Sequence, residues 1–173
     1  FTKSPVRIQD YSLSLDELDN LSMSIVRNIL KSAISYDLGS VELLIDQQKF
    51  SDIPDYLRSD MVGLYYLKSG ELDEATHYFE QSTQQNPKYA LAYHNLAIAH
   101  YLNGDVEAAL EEIQIALELK EDLPLLHYTK ASFIEMSNPK LALDYYQKAI
   151  ALDDNYTEAK VNYSSLLKSG GNY

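Results

Sequence analysis

Residues 56–89, YLRSDMVGLYYLKSGELDEATHYFEQSTQQNPKY, are followed without a gap by a second stretch of the same length, residues 90–123, ALAYHNLAIAHYLNGDVEAALEEIQIALELKEDL. Their small residues coincide position for position: Gly63 with Ala97, Gly70 with Gly104, Ala75 with Ala109 and Ser82 with Ala116. Residues 124–156 continue the series one residue short, through Ala131, Ala142 and Ala149, and a large residue holds one place in all three as Phe79, Ile113 and Tyr146. A beat this long is one supersecondary unit repeated rather than the period of a helix or a strand.

Inside each unit the apolar residues have helical spacing on both sides of a turn. In the first unit Val62, Leu64, Tyr65, Tyr66 and Leu67 lead to Lys68-Ser69-Gly70, and Ala75, Tyr78 and Phe79 follow. In the second, Tyr93, Leu96, Ala97, His100 and Tyr101 precede Asn103-Gly104-Asp105, and Ala109, Ile113, Ala116 and Leu117 come after. Pro54, Pro87 and Pro124 stand before or at the first turn of each unit's first helix, where a missing N–H leaves no bond unmade. Asp105 is placed to cap the second helix of the middle unit. The third turn, Ser137-Asn138-Pro139, has lost a residue and its glycine. Small residues at fixed places predict two helices in close approach, with Tyr66, Phe79, Tyr93, Ile113 and Tyr146 as the large side chains between them.

These residues resemble the tetratricopeptide repeat. Ser59-x2-Val62-Gly63-x2-Tyr66, Ala75-x3-Phe79 and Pro87 follow its pattern, as do Tyr93-x2-Leu96-Ala97-x2-His100 and Ala109-x3-Ile113-x2-Ala116-Leu117, with Glu121 where proline is usual. The third unit keeps Ala131, Ala142, Tyr146 and Ala149 and departs at Lys130 and Asp154. The resemblance implies an all-α fold, a right-handed superhelix or α–α solenoid of helix-turn-helix repeats, over about 56–89, 90–123 and 124–156. Residues 157–173 read as a C-terminal capping helix and tail, with Ala159, Val161, Tyr163, Leu166 and Leu167 on its apolar side and Lys160, Asn162 and Lys168 on its polar side. Within residues 1–53, Ser14-x-x-Glu17 is a capping box opening a helix to about Tyr36, and a second apolar helix ends near Phe50. That N-terminal helical pair reads as a degenerate repeat or cap of the same domain.

The resemblance also implies a working surface, because stacked hairpins curve and their first helices line the concave side. On those helices Asp60, Leu64 and Leu67, then His94, Asn95, Ile98 and Tyr101, then Tyr128, Thr129, Ser132 and Met136 are the expected partner-binding groove. Repeats of this family also hold the acidic C-terminal tail of heat-shock chaperones by a clamp of Lys, Asn and Arg side chains on its carboxylates. The matching positions here are Asp60, Leu64, Asn95, Leu125 and Thr129, so only the Asn agrees and Asp60 would repel such a tail. The groove is therefore expected to take an extended segment or helix of another protein by apolar anchors.

Composition narrows the alternatives. A net charge of −12 repels a nucleic-acid backbone, no apolar run approaches the roughly 20 residues of a membrane helix, and the absence of cysteine excludes disulfides and thiolate chemistry. His94 and His100 are six apart and lie on different faces of one helix, His77 sits among Asp73 and Glu74, and no phosphate loop or metalloprotease helix occurs. No metal, cofactor or catalytic residue is expected, and the 15 tyrosines read as packing residues. The acidic runs Glu71-Asp73-Glu74 and Glu107-Glu111-Glu112 read as a solvated outer wall. The function read from this is a non-catalytic adaptor or scaffold with a protein partner. A dedicated secretion or assembly chaperone and a self-associating scaffold, hence a homo-oligomer, are the alternatives. Location is open: the cytoplasm is favoured, and a chain beginning at Phe1 is also compatible with a removed targeting segment.

Overall fold

The structure, a computed structural model, describes residues 54–170, and the N-terminal helical pair read from the sequence lies outside them. Among the described residues there are seven helices and no strand: α1 (Asp55–Ser69), α2 (Leu72–Gln85), α3 (Ala90–Leu102), α4 (Val106–Leu119), α5 (Pro124–Ile134), α6 (Pro139–Leu152) and α7 (Thr157–Gly170). Extensive contacts run between chain neighbours, each hairpin internally and then to the next, and α1 also touches α3. This is an all-α solenoid, with α1, α3 and α5 as the first helices of successive hairpins.

Close approach within the first hairpin is visible at Gly63, where an added Cβ would stand 2.6 Å from two carbons of the Phe79 ring. The ring is fully buried and fills the place that a side chain at position 63 would need. In the next two hairpins the same pair is Ala97 with Ile113 and Ala131 with Tyr146, and all four are fully buried. Ala75, Ala109 and Ala142 on the second helices are buried as completely, so small residues hold both sides of each seam. Tyr66 and Tyr93 flank the same core, half-buried. Ser82 replaces the alanine of later repeats, and its hydroxyl donates to the Tyr56 carbonyl at 2.8 Å, tying the end of α2 to the start of α1.

Turn chemistry accounts for the helix ends. Gly70 (φ 82°) and Gly104 (φ 89°) lie in the left-handed region, which a side chain disfavours. The Asp105 carboxylate accepts from the Ala108 N–H at 3.1 Å. In the third hairpin the left-handed residue is gone, and Asn138 both donates its N–H to the Ile134 carbonyl at 2.7 Å and caps α6 by accepting from the Leu141 N–H at 3.2 Å. One residue fewer is thus absorbed by a tighter turn. α7 departs from its sequence reading. Val161 is 52% exposed while Asn162 is turned inward, so the two exchange the roles expected of them, and the helix runs through Ser169 to Gly170.

Replacing Gly63 by Ala forces the Phe79 ring to move, and overpacking of this kind costs about 1–3 kcal/mol. Urea unfolding of Gly63→Ala should show that loss, and Gly63→Ala with Phe79→Leu should recover part of it. Full additivity of the two changes would rule the contact out as the cause.

Candidate functional site

The eleven groove positions separate into two sets. Asp60, Leu64, His94, Asn95, Ile98, Tyr128 and Thr129 are buried, whereas Leu67, Tyr101 and Ser132 are half-buried and Met136 is 92% exposed. The buried polar members bond to one another. Asn95 Nδ2 donates to Asp60 Oδ1 at 2.8 Å, joining α3 to α1. His94 Nε2 meets Thr129 Oγ1 at 3.0 Å, joining α3 to α5. Asn162 Nδ2 donates to the Tyr128 hydroxyl at 3.2 Å, joining α7 to α5. Each rung links one repeat's fifth position to the next repeat's sixth, 35, 35 and 34 residues apart.

Hydrogen-bond direction follows along this chain. Because the Asn95 amide NH2 serves the Asp60 carboxylate, its Oδ1 accepts from His94 Nδ1–H at 3.2 Å. The imidazole then carries its proton on Nδ1, and Nε2 accepts from the Thr129 hydroxyl. Burial holds His94 down from 6.5 to about 4, against the opposing hydrogen bond to Asn95, so the ring is neutral. Burial likewise pushes the Asp60 carboxyl up from 3.8 to about 7, against hydrogen bonds from Asn95 and from the Tyr89 hydroxyl at 3.4 Å. His94 and Asn95, expected as handles for a partner, are thereby committed to neighbouring repeats. A buried polar group costs free energy unless it is bonded, and the rungs meet that requirement internally.

A second cluster continues the ladder. The Tyr146 hydroxyl donates to Glu135 Oε2 at 2.5 Å and lies 3.3 Å from Ser132 Oγ and 3.4 Å from Asn162 Nδ2. Burial first, and then the bond to Glu135, push the Tyr146 phenol well above its ordinary value. Tyr89, Asn162 and the Tyr146 hydroxyl were not among the expected groove residues. The signal for Asn162 was present, since it holds the same place in its helix as Asn95 and Thr129. Of the other histidines, His77 bonds Gln81 at 2.9 Å on the surface, and His127 Nε2 donates to the Glu121 carbonyl at 2.7 Å. Among the described residues no three His, Asp or Glu side chains gather as a metal site, and no helix is long and apolar enough to cross a membrane.

Residues 61–124 match the family profile described as tetratricopeptide repeat. Over this stretch the chain carries tetratricopeptide repeats. Among curated relatives, the anaphase-promoting complex subunit cut9 of Schizosaccharomyces pombe is 29% identical over 93 residues, which is 53% of this chain. The chain spans 8% and 14% of the length of the curated relatives it matches. Two solved tetratricopeptide structures share its fold at 18% identity. One, a thermophilic protein of Thermus thermophilus, has a TM-score of 0.74 over 92% of this chain and 88% of its own. The other, the first tetratricopeptide domain of Spaghetti bound to the HSP90 peptide SRMEEVD, has a TM-score of 0.64 over 68% and 94%.

The two shifted groups of the ladder oppose each other in pH dependence. An acid with a raised native pKa binds more protons folded than unfolded, so the Asp60 contribution to stability is present below about pH 4 and is lost as pH rises through about 7. For His94 the native pKa is the lower one, so stability rises with pH between about 4 and 6.5. Asp60→Asn removes only the first effect. Its unfolding free energy relative to wild type should therefore climb by on the order of 1 kcal/mol or more between about pH 5 and pH 8, followed by urea denaturation. Parallel curves for the two proteins would contradict the assignment.

Proposed function

We propose that the chain is a non-catalytic protein-interaction module, an adaptor or scaffold that receives a segment of a partner protein on the side lined by α1, α3 and α5. The observation that carries this is the division of that side: its polar side chains are used between repeats, while apolar side chains remain available toward the helix C-termini. Leu67 and Tyr101 are half-buried, Leu102 is exposed and Met136 is almost fully so. Exposed apolar groups with a flexible thioether among them suit apolar anchoring of another protein. The kinship with a subunit of a protein complex and with a peptide-binding domain supports a protein as the partner.

The ligand of the Spaghetti domain is not expected here. At the clamp positions Asp60 is an acid, Leu64 and Leu125 are apolar, Thr129 serves His94, and the Asn95 amide already serves Asp60. Titration with Ser-Arg-Met-Glu-Glu-Val-Asp should give no binding at about 100 µM, and a Kd of about 10 µM or tighter would overturn this reading.

Met136→Glu and Tyr101→Glu place charge on the proposed apolar surface. Partners captured from the native source by wild type should be lost, by about tenfold or more in retained amount, from variants whose helical circular dichroism is unchanged. Equal capture by the variants would remove the proposal. Self-association is favoured as a second reading by Val161 and Leu167, 52% and 48% exposed on α7. Val161→Asp should then lower the sedimentation coefficient, and a monomer in both forms would discard it.

A further inference from the structure

Among the described residues α7 is a first helix with no second helix folded against it. Its register follows from the ladder: Asn162 bonds Tyr128 as Asn95 bonds Asp60, so Ser164 corresponds to Gly63, Ala97 and Ala131, and Lys160 to Ser59 and His127. In the earlier repeats these places meet the hairpin's own second helix. Gly63 abuts the Phe79 ring, the Ser59 hydroxyl donates to Gln85 Oε1 at 3.0 Å, Tyr66 stacks on Tyr78, and the His127 ring lies 6.0 Å from that of Tyr145. Beside α7 no described helix fills that place. Ser164 is exposed where Ala97 and Ala131 are fully buried, and Leu167 is 48% exposed where its counterpart Ile134 is 6%. Thr157, Lys160, Val161, Ser164, Ser165 and Lys168 line an open cleft of about 440 Å³ along this stripe.

The charge of the cleft selects the kind of helix that fits. In a chain of net charge −12 the stripe carries two lysines and no acid. The corresponding places are Ser59, Tyr93 and His127 for Lys160, and Leu67, Tyr101 and Glu135 for Lys168, so no earlier first helix has a lysine or arginine at either. Lys160 reaches Asp154 at 2.7 Å, an exposed pair of the kind that contributes little and yields to a better partner. Among the described residues no carboxylate pairs with Lys168. The two lysines stand eight residues apart, about 12 Å along the helix, with the small Ser164 midway between them. A two-fold contact of α7 with itself sets lysine against lysine whether the helices run parallel or antiparallel.

We infer that the open face of α7 is a second interaction surface, a seat for an acidic amphipathic helix of another protein that completes the fourth hairpin. A large apolar side chain of that helix takes the place over Ser164 that Phe79 takes over Gly63, and its carboxylates meet Lys160 and Lys168 on either side. The surface lies at the end of the array, apart from the concave side, and so goes beyond the interaction reading above.

A peptide of residues 106–119 serves as the probe, being itself an acidic second helix with Ile113 among Glu107, Glu111, Glu112 and Glu118. Added to the isotope-labelled full chain, it should shift the amide resonances of Lys160, Ser164 and Lys168 and bind with a Kd of about 1 mM or tighter. Lys160→Glu with Lys168→Glu, both at exposed positions, should weaken binding at least about tenfold. A peptide with its glutamates replaced by lysine should recover binding to that variant. Ser164→Phe, which fills the seat, should abolish binding to the native peptide. The absence of shifts at about 1 mM, shifts centred on another helix, or an affinity unchanged by the charge reversal would overturn the inference. So would a concentration-dependent dimer that Ser164→Phe removes, since the face then belongs to a second copy. Met136 and Tyr101 take no part in these measurements, so the concave-side reading stands or fails separately.

Discussion

The Phe79 ring stands where the side chain of residue 63 would be, and the rest of the array depends on arrangements of that kind. Two helices of one hairpin can share a fully buried aromatic ring only if the facing position is nearly empty. The second and third hairpins solve the same problem with Ala97 against Ile113 and Ala131 against Tyr146, all buried. This pairing sets the distance between helices within each unit, and that distance sets how the next unit stacks. Polar ties such as Ser82 to the Tyr56 carbonyl then lock the ends without bearing the packing.

Between hairpins the governing interaction is polar. Apolar stacking alone would tolerate sliding of one first helix along the next, whereas Asn95 on Asp60, His94 on Thr129 and Asn162 on Tyr128 have partners at one register only. Buried hydrogen-bonded groups contribute little net stability but make the alternatives costly, because any slip leaves a donor or acceptor unpaired. The environment that makes the ladder specific also moves its titrating groups. Asp60 is pushed toward neutrality and His94 is kept neutral, both by loss of water.

This division of labour bears on function. A concave side whose polar groups are engaged between repeats differs from one that presents lysines and asparagines to a carboxylate. The kinship lies in the fold, and the recognition chemistry is carried by individual side chains. Apolar side chains meet solvent near the ends of these helices, Leu102 closing α3 and Met136 just past α5.

The repeat and the helical hairpins were legible because they rest on local and periodic signals: glycines at the turns, Asp105 as a cap, and small residues returning with large ones at a constant interval. Helical spacing likewise places Asp60, His94, Asn95 and Thr129 on the first helices, where the structure has them. Their role was not, and neither was the inward turn of Asn162 in place of Val161. Spacing along one helix states which residues share a face. It does not state what stands opposite, and a histidine facing solvent and one bonded to a threonine in the next repeat have the same local pattern. The sequence by itself determined a three-repeat helical array and its turn chemistry, through short-range sterics and capping. Only the tertiary structure decided that the groove's polar side chains bond to each other, because that depends on distances across repeats that no single helix encodes.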